Sequence, residues 1–98
     1  MPTFVCRIRL TDQGVRNIKG SPERQRQAVA MAEQMGVKVV SRHVIMGGDY
    51  DGAMVIEAPD GDTLARFVMA LSSQGNVRTT TNRVLTPEEF ERIVASLP

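Results

Sequence analysis

Few side chains in this sequence have the chemistry of a general acid or base. His43 is the only histidine, and it lies beside Ser41 and Arg42 in a stretch that alternates as a strand. It could act as a general base, because a free imidazole titrates near neutral pH; it could equally be a partly exposed residue of a sheet. No cysteine or carboxylate stands near it at a metal-ligand spacing, so we predict no metal site.

Tyr50 and Asp51 place a phenol and a carboxylate at the edge of a predicted strand. They could orient a polar ligand at the mouth of a cavity. Alternatively, Asp51 caps turn amides and Tyr50 packs over the end of the sheet. With His43 and Arg9 they form the candidate ligand-binding set, and His43 and Tyr50 are the candidates for proton transfer.

Arginines on two predicted strands form the third chemical feature. Arg7, Arg9 and Arg78 could bind a carboxylate or a phosphate. The alternative is that they pair with Glu57 and with a partner subunit. The glycines of Gly47-Gly48 stand between two strands rather than before a helix, so they do not indicate a phosphate-binding loop, and we expect no cofactor.

The composition is that of one small globular domain, residues 1–98, with 42% hydrophobic and 23% charged residues. The 12 basic and 11 acidic side chains are spread along the chain, which argues against nucleic-acid binding. The N-terminus lacks the basic and apolar regions of a signal peptide, and the apolar runs are too short for a membrane span. We therefore expect a cytoplasmic protein with no membrane association.

Periodicity and turn residues divide the chain into alternating strands and helices. Phe4, Cys6 and Ile8 alternate with polar positions, which predicts a half-buried strand and an inert, buried Cys6. Ser21-Pro22-Glu23 predicts a helix start capped by Ser21, and Gly36 its end. The predicted strands are 3–10, 37–46, 51–58 and 76–85, and the predicted helices are 22–35, 62–72 and a C-terminal helix from Thr86-Pro87 with the apolar stripe Phe90, Ile93, Val94 and Leu97.

The order βαββαβ predicts an α+β, ferredoxin-like sandwich: an antiparallel four-stranded sheet with helices on one face, followed by a C-terminal helix. Neither face of 37–46 is uniformly apolar, so the pattern leaves open which one meets the helices. An uncovered sheet face this apolar is expected to pack against a second copy, giving a face-to-face homodimer that closes into a barrel-like body. On that face we expect Val5, Val55, Val77, Arg7, Arg9 and Glu57.

Several segments match one family in order along nearly the whole chain. They are residues 11–24 (TDQGVRNIKGSPER), 46–51 (MGGDYD), 55–60 (VIEAPD), 75–79 (GNVRT) and 86–90 (TPEEF). In these segments the chain resembles the GYD domain family of small bacterial and archaeal proteins, with Asp49 between the glycine and tyrosine of the namesake triplet. The resemblance implies a ferredoxin-like fold of the dimeric α/β barrel type, and it implies no activity.

Two functions fit these observations. The first is a homo-oligomeric accessory module that binds a small ligand or another protein, since catalytic side chains are scarce. The alternative is a cofactor-independent monooxygenase- or isomerase-like enzyme that holds a small organic substrate between sheet and helices, with His43 or Tyr50 moving a proton. A closed pocket lined by His43 would favour the enzyme, and a filled apolar interior would favour the binding module.

Overall fold

The computed structural model describes residues 1–98 as one four-stranded sheet with four α-helices. The sheet is antiparallel, as predicted, and its strand order β2-β3-β1-β4 makes β1 and β3 central. A 3-10 turn, Ile18–Gly20, joins α1 to α2. The strands are β1 (Thr3–Leu10), β2 (Lys38–Val44), β3 (Gly52–Glu57) and β4 (Val77–Val84), and the helices are α1 (Asp12–Arg16), α2 (Ser21–Gln34), α3 (Gly61–Ser73) and α4 (Pro87–Ala95).

The core lies between one face of the sheet and the helices α2 and α3. Cys6 of β1 pairs with Met54 of β3, and both are buried beneath Phe67 of α3 and Ala32 of α2. Burial raises the pKa of the Cys6 thiol, which keeps it in its unreactive, protonated form. The predicted helix-facing side of β1 and the buried, inert Cys6 are therefore confirmed.

Two of the helix ends lie where the capping residues in the sequence indicate, and a third does not. Gly36 has a φ of 81° and ends α2, as predicted. The Asp60 carboxylate accepts a hydrogen bond from the Thr63 amide at 2.8 Å and begins α3. The prediction that Ser21 caps α2 was wrong: Ser21 is itself helical, because the 3-10 turn runs directly into the helix.

A β-bulge at Val40 explains the mixed faces of β2. The pairing with β3 shifts between Val39 and Ser41, so two residues of β2 span one step of β3. Val39 therefore faces the helices before the bulge, and Arg42 and Val44 face them after it. The alternation of β2 changes phase within the strand, which is why neither of its faces is uniformly apolar.

Val77 lies on the opposite face from the one predicted. It pairs with Leu10 at the end of β1 and packs at the margin of the core. The alternating Thr and Arg residues of β4 gave no hydrophobic contrast from which to set the phase of the strand. The valine that β4 contributes to the uncovered face is Val84, which pairs with Thr3.

The C-terminal helix α4 has a well-formed N-terminal cap but makes no extended packing contact within its own chain. Thr86 and Glu89 form a capping box, with both hydrogen bonds at 3.1 Å, and Glu89 pairs with Arg83 of β4 at 3.0 Å. The helix makes no extended contact with the sheet or with α2 and α3. The molecule is consequently elongated, 52 by 31 by 18 Å. The large apolar side chains of α4 are all exposed: Phe90, Ile93 and Val94; Leu97, just beyond the end of the helix, is exposed as well.

No helix of the chain combines the length and the apolar character that a membrane span needs.

Candidate functional site

A cavity of about 610 Å³ opens at one end of the molecule, between the sheet and α2. Its walls are the ends of β1 and β2, the starts of β3 and β4, the first half of α2 and the last turn of α3. Twelve of its 23 lining residues are hydrophobic, which makes it suited to an organic ligand. The apolar lining includes Ile8, Leu10, Ala28, Val29, Val44, Met46, Met54, Leu71 and Val77.

Gly52 leaves the space from which the cavity is made. It lies between Ile8 of β1 and Val44 of β2 in the sheet, on the face that meets the helices. A glycine there removes a side chain from the layer that elsewhere fills the core, as Met54 and Ile56 do two and four residues later. The interior is therefore neither the filled apolar interior expected of a binding module nor the closed pocket expected of an enzyme.

Two arginines supply the positive charge of this cavity. Arg42, on the helix-facing side of β2 after the bulge, makes only a long contact of 3.4 Å with the Gln25 side chain. Arg24 of α2 donates through Nη1 to the Asn17 carbonyl at 2.9 Å, while its Nη2 is buried without a hydrogen-bond partner. Neither guanidinium belongs to an ion pair. The cavity thus offers an apolar interior together with donors for an acceptor group.

Asp51 borders the cavity and is held by the backbone around it. Its carboxylate accepts a hydrogen bond from the Leu10 amide at 2.8 Å. Its own amide donates to the Ile8 carbonyl at 2.8 Å, and its carbonyl accepts from the Ile45 amide at 2.9 Å. Asp51 therefore fastens the β2–β3 hairpin to the end of β1, which is the turn-capping role considered for it from the sequence.

Tyr50 and Arg9 lie on the other side of the sheet, outside the cavity. The Tyr50 ring centre is 4.6 Å from the Arg7 guanidinium carbon and 5.5 Å from that of Arg9. Arg9 also donates to the Asp49 carbonyl and Arg7 to the Asn82 side chain, each at 3.0 Å. These contacts make a rigid cationic and aromatic cluster on the uncovered face, which we call the Tyr50 cluster.

His43 borders the cavity only through its strand. It pairs with Ala53, so its side chain is placed on the sheet face away from the helices. The four candidate residues from the sequence therefore do not form one site: Tyr50, Arg9 and His43 belong to the uncovered face, and Asp51 joins the strands. Arg24 and Arg42, which line the cavity, were not among the predicted site residues.

The expected pairing of arginines with Glu57 is absent within the chain. Glu57 pairs with Thr3, at the end of the sheet opposite Arg9. Arg78 lies directly opposite Arg9 and donates only to a backbone carbonyl. Within one chain these arginines therefore have no carboxylate partner, and their pairing with a partner subunit stays a prediction.

Hydrogen bonds fix the turn after β1 beside the cavity. The Thr11 hydroxyl donates to the Gly75 carbonyl at 2.6 Å and accepts from the Gly14 amide at 3.1 Å. Gly14 approaches the Asn76 carbonyl so closely that a β-carbon would overlap it. These contacts join two of the segments on which the family resemblance rests, 11–24 and 75–79. Nowhere do three His, Cys, Asp or Glu side chains come together as a metal site would require.

Comparison with known proteins agrees with this architecture. The GYD domain model matches residues 4–94. A curated protein of Thermus thermophilus, the glutamine synthetase and cystathionine beta-lyase binding protein, is 39% identical over 82 residues, which are 83% of this chain and 85% of that protein.

Two solved structures share the fold at low sequence identity. The Mycobacterium tuberculosis leucine response regulatory protein LrpA superposes with a TM-score of 0.57 and 19% identity, over 87% of this chain and 51% of LrpA. The dehydrochlorinase TftG of Burkholderia phenoliruptrix, solved with 2,5-dihydroxybenzoquinone, gives 0.61 and 16%, over 90% of this chain and 97% of TftG. The fold is thus the ferredoxin-like one predicted, and the chain belongs to the GYD domain family.

Proposed function

We propose that this protein is a cytoplasmic, homodimeric accessory module that binds a small organic acid in its cavity and docks on a metabolic enzyme. The observation that carries the proposal is the cavity itself, an apolar space with two unpaired arginines in its lining. Its volume of about 610 Å³ lies in the usual range for small-ligand sites. The chain therefore acts by binding, as one domain.

The arginines favour a ligand with an acceptor group, such as a carboxylate. The buried Nη2 of Arg24 has no acceptor, and an unsatisfied buried donor costs about 1–3 kcal/mol. Guanidinium groups bind carboxylates with paired, charge-assisted hydrogen bonds. A compact acid with an apolar body would satisfy Arg24 or Arg42 while covering the apolar wall.

The uncovered sheet face supports self-association. Val5 and Val55 lie side by side on it, next to the Tyr50 cluster. Tyrosine and arginine are the residue types that contribute most to protein interfaces. A second copy packed face to face would remove both valines from water, and would let Glu57 meet arginines of the other chain.

The enzyme partner is proposed from the Thermus thermophilus relative, whose description is that of a binding protein for glutamine synthetase and cystathionine beta-lyase. We propose the same class of partner, an enzyme of amino-acid metabolism. The test is biolayer interferometry with purified glutamine synthetase and cystathionine beta-lyase from the organism that encodes this chain. Saturable binding of either enzyme supports the proposal, and binding of neither contradicts it.

The ligand is tested by thermal shift and calorimetry with benzoate and phenylacetate against their neutral amides. Only the acids are expected to raise the melting temperature, and Arg42→Gln is expected to abolish the effect. Arg66→Gln, a change of the same charge on the exposed side of α3, is the matched control and should bind as the parent does. Equal binding of acids and amides would refute the role given to the arginines.

A further inference from the structure

We infer that α4 of a second copy closes the mouth of the cavity, so that the complete ligand site exists only in the dimer. The inference rests on the proposed homodimer and ligand site, and it adds that the partner chain contributes part of the wall. Two exposed apolar surfaces of the same chain carry it: the rim of the cavity and the stripe of α4.

The rim of the cavity is apolar and unprotected. Val44, Ile45 and Met46 form it where β2 leaves the sheet, and Met46 is 90% exposed. A ligand in the cavity would keep one side in water, although binding sites usually enclose most of a ligand's surface. The rim therefore lacks a cover.

The stripe of α4 is an apolar surface without a counterpart. Phe90 is 58% exposed, and Ile93 and Val94 lie on the same side of the helix, with the exposed Leu97 just beyond its end. An apolar stripe is what an amphipathic helix buries, and the capping box together with the Arg83–Glu89 ion pair hold this one in place. The helix is thus preformed, which lowers the entropy lost on docking.

In the structure α4 does not cover the cavity of its own chain, and none of its residues lines that cavity. Helix α4 follows Val84, which pairs with Thr3 at one end of β1, whereas the rim follows Val44 at the other end and on the opposite edge. Strand rise and spacing put these corners roughly 25 Å apart. The nine residues of α4 reach only about 14 Å, and just Leu85 and Thr86 connect the helix to β4. The cover must come from another molecule.

Charge favours a second copy as that molecule. Glu91 flanks the stripe and forms no ion pair, and Arg42 at the cavity is also unpaired. Docking α4 across the rim would bring a free carboxylate to a free guanidinium. A two-fold axis repeats every contact, so both cavities of a dimer would be closed in the same way.

The test is disulfide formation between two separately purified variants, Met46→Cys and Val94→Cys, mixed and oxidised. The native Cys6 is fully buried and does not compete. Only contact between chains can join the two variants, and a disulfide needs Cα atoms within about 7 Å. Met69→Cys, on an exposed position of α3, replaces Val94→Cys in the control mixture.

A Met46–Val94 crosslink well above the control supports the inference, and Glu91→Arg in the Val94→Cys chain should reduce it severalfold. Arg42→Glu in the Met46→Cys chain should then restore it. No crosslink in a mixture that light scattering shows to be dimeric would overturn the inference and leave the proposed dimer standing. A monomer by light scattering would overturn both.

Discussion

At the scale of single residues, the candidate functional side chains predicted from the sequence do not all lie on the same face of the sheet. Tyr50 and Asp51 are neighbours in sequence, yet one stacks on arginines of the uncovered face and the other binds backbone amides beside the cavity. Alternation along a strand puts successive residues on opposite faces. Proximity in sequence was therefore a poor guide to a shared site.

The cavity arginines could not be selected from the sequence for a physical reason. Arg42 reaches the cavity because a bulge shifts the phase of β2, and Arg24 because α2 crosses the sheet at that end. Neither the bulge nor the placement of the helix leaves a local pattern. Only the apolar positions around them, such as Ile8 and Met54, were predictable as a helix-facing set.

Replacing His43 by Ala is expected to leave ligand binding unchanged, because its side chain lies on the sheet face away from the cavity. Calorimetry with benzoate measures the affinity, and Arg42→Gln is the variant expected to lose it. A weaker affinity in His43→Ala, with Arg42→Gln unaffected, would reverse the assignment of the two faces.

Two helix-capping carboxylates should govern stability in acid. The Thr63 amide lowers the pKa of Asp60, and the Thr86 amide, followed by Arg83, lowers that of Glu89. A carboxyl whose pKa falls on folding stabilises the fold above its ordinary pKa, 3.8 for Asp60 and 4.5 for Glu89. That stabilisation is lost as the pH falls through the lower, folded value.

Asp60→Asn should therefore reduce the stability of the fold at neutral pH and flatten its decline below about pH 3.8, the ordinary value for Asp60. Glu89→Gln should weaken only α4, because that helix makes no extended contact with the core. Thermal melts across the acid range measure this. Asp62→Asn, a change of the same charge in the first turn of α3, is the control. An unchanged acid slope in Asp60→Asn would contradict the capping explanation.

At the scale of elements, the sequence located every strand and the long helices, with ends one or two residues from those observed. β1 was predicted at its observed bounds, because clean alternation and the Thr11–Gly14 turn mark both its face and its end. The prediction of which β4 residues face the helices was wrong, because Thr and Arg alternate there without apolar contrast. Periodicity sets a phase only when one face is distinctly apolar.

The isolation of α4 leads to a prediction about the cap. Thr86→Ala removes the capping hydroxyl and should destabilise α4 by about 1 kcal/mol. Because α4 does not pack on the core of its own chain, the stability of the sheet should be unaffected. Hydrogen exchange should show faster exchange in 87–95 and unchanged protection in β1 and β3.

A matched change at the other cap separates local from global effects. Asp60→Ala removes the capping carboxylate of α3, and this helix packs on the core through Phe67. Faster exchange there should extend into the sheet. If Thr86→Ala also loosened β1, α4 would have to support the core, contrary to its exposed position.

At the scale of the whole molecule, the chain is more extended than a compact domain of its length. The radius of gyration is 14.9 Å, above the roughly 13 Å expected of a compact chain this long. The excess comes from α4, whose apolar stripe faces outward. Sequence alone could predict an amphipathic helix here, but not that its own sheet would leave it uncovered.

Val55→Asp should convert the proposed dimer to a monomer. The carboxylate would be buried at the centre of the sheet-to-sheet contact, and burying an unpaired charge costs several kcal/mol, which weakens association by roughly a hundredfold or more. Light scattering over a dilution series measures this. Met69→Asp, on exposed α3, should stay dimeric, and a dimeric Val55→Asp protein would place the interface elsewhere.

The bulge at Val40 means that β2 holds one residue more than its ladder with β3 requires. Loss of the Val40 codon would remove this surplus and leave Ser41, His43 and their pairing partners in place. A one-codon deletion in β3, which has no surplus, would instead turn Met54 or Ile56 out of the core. The edge strand can therefore change length during evolution while Arg42 stays in the cavity, and the central strand cannot.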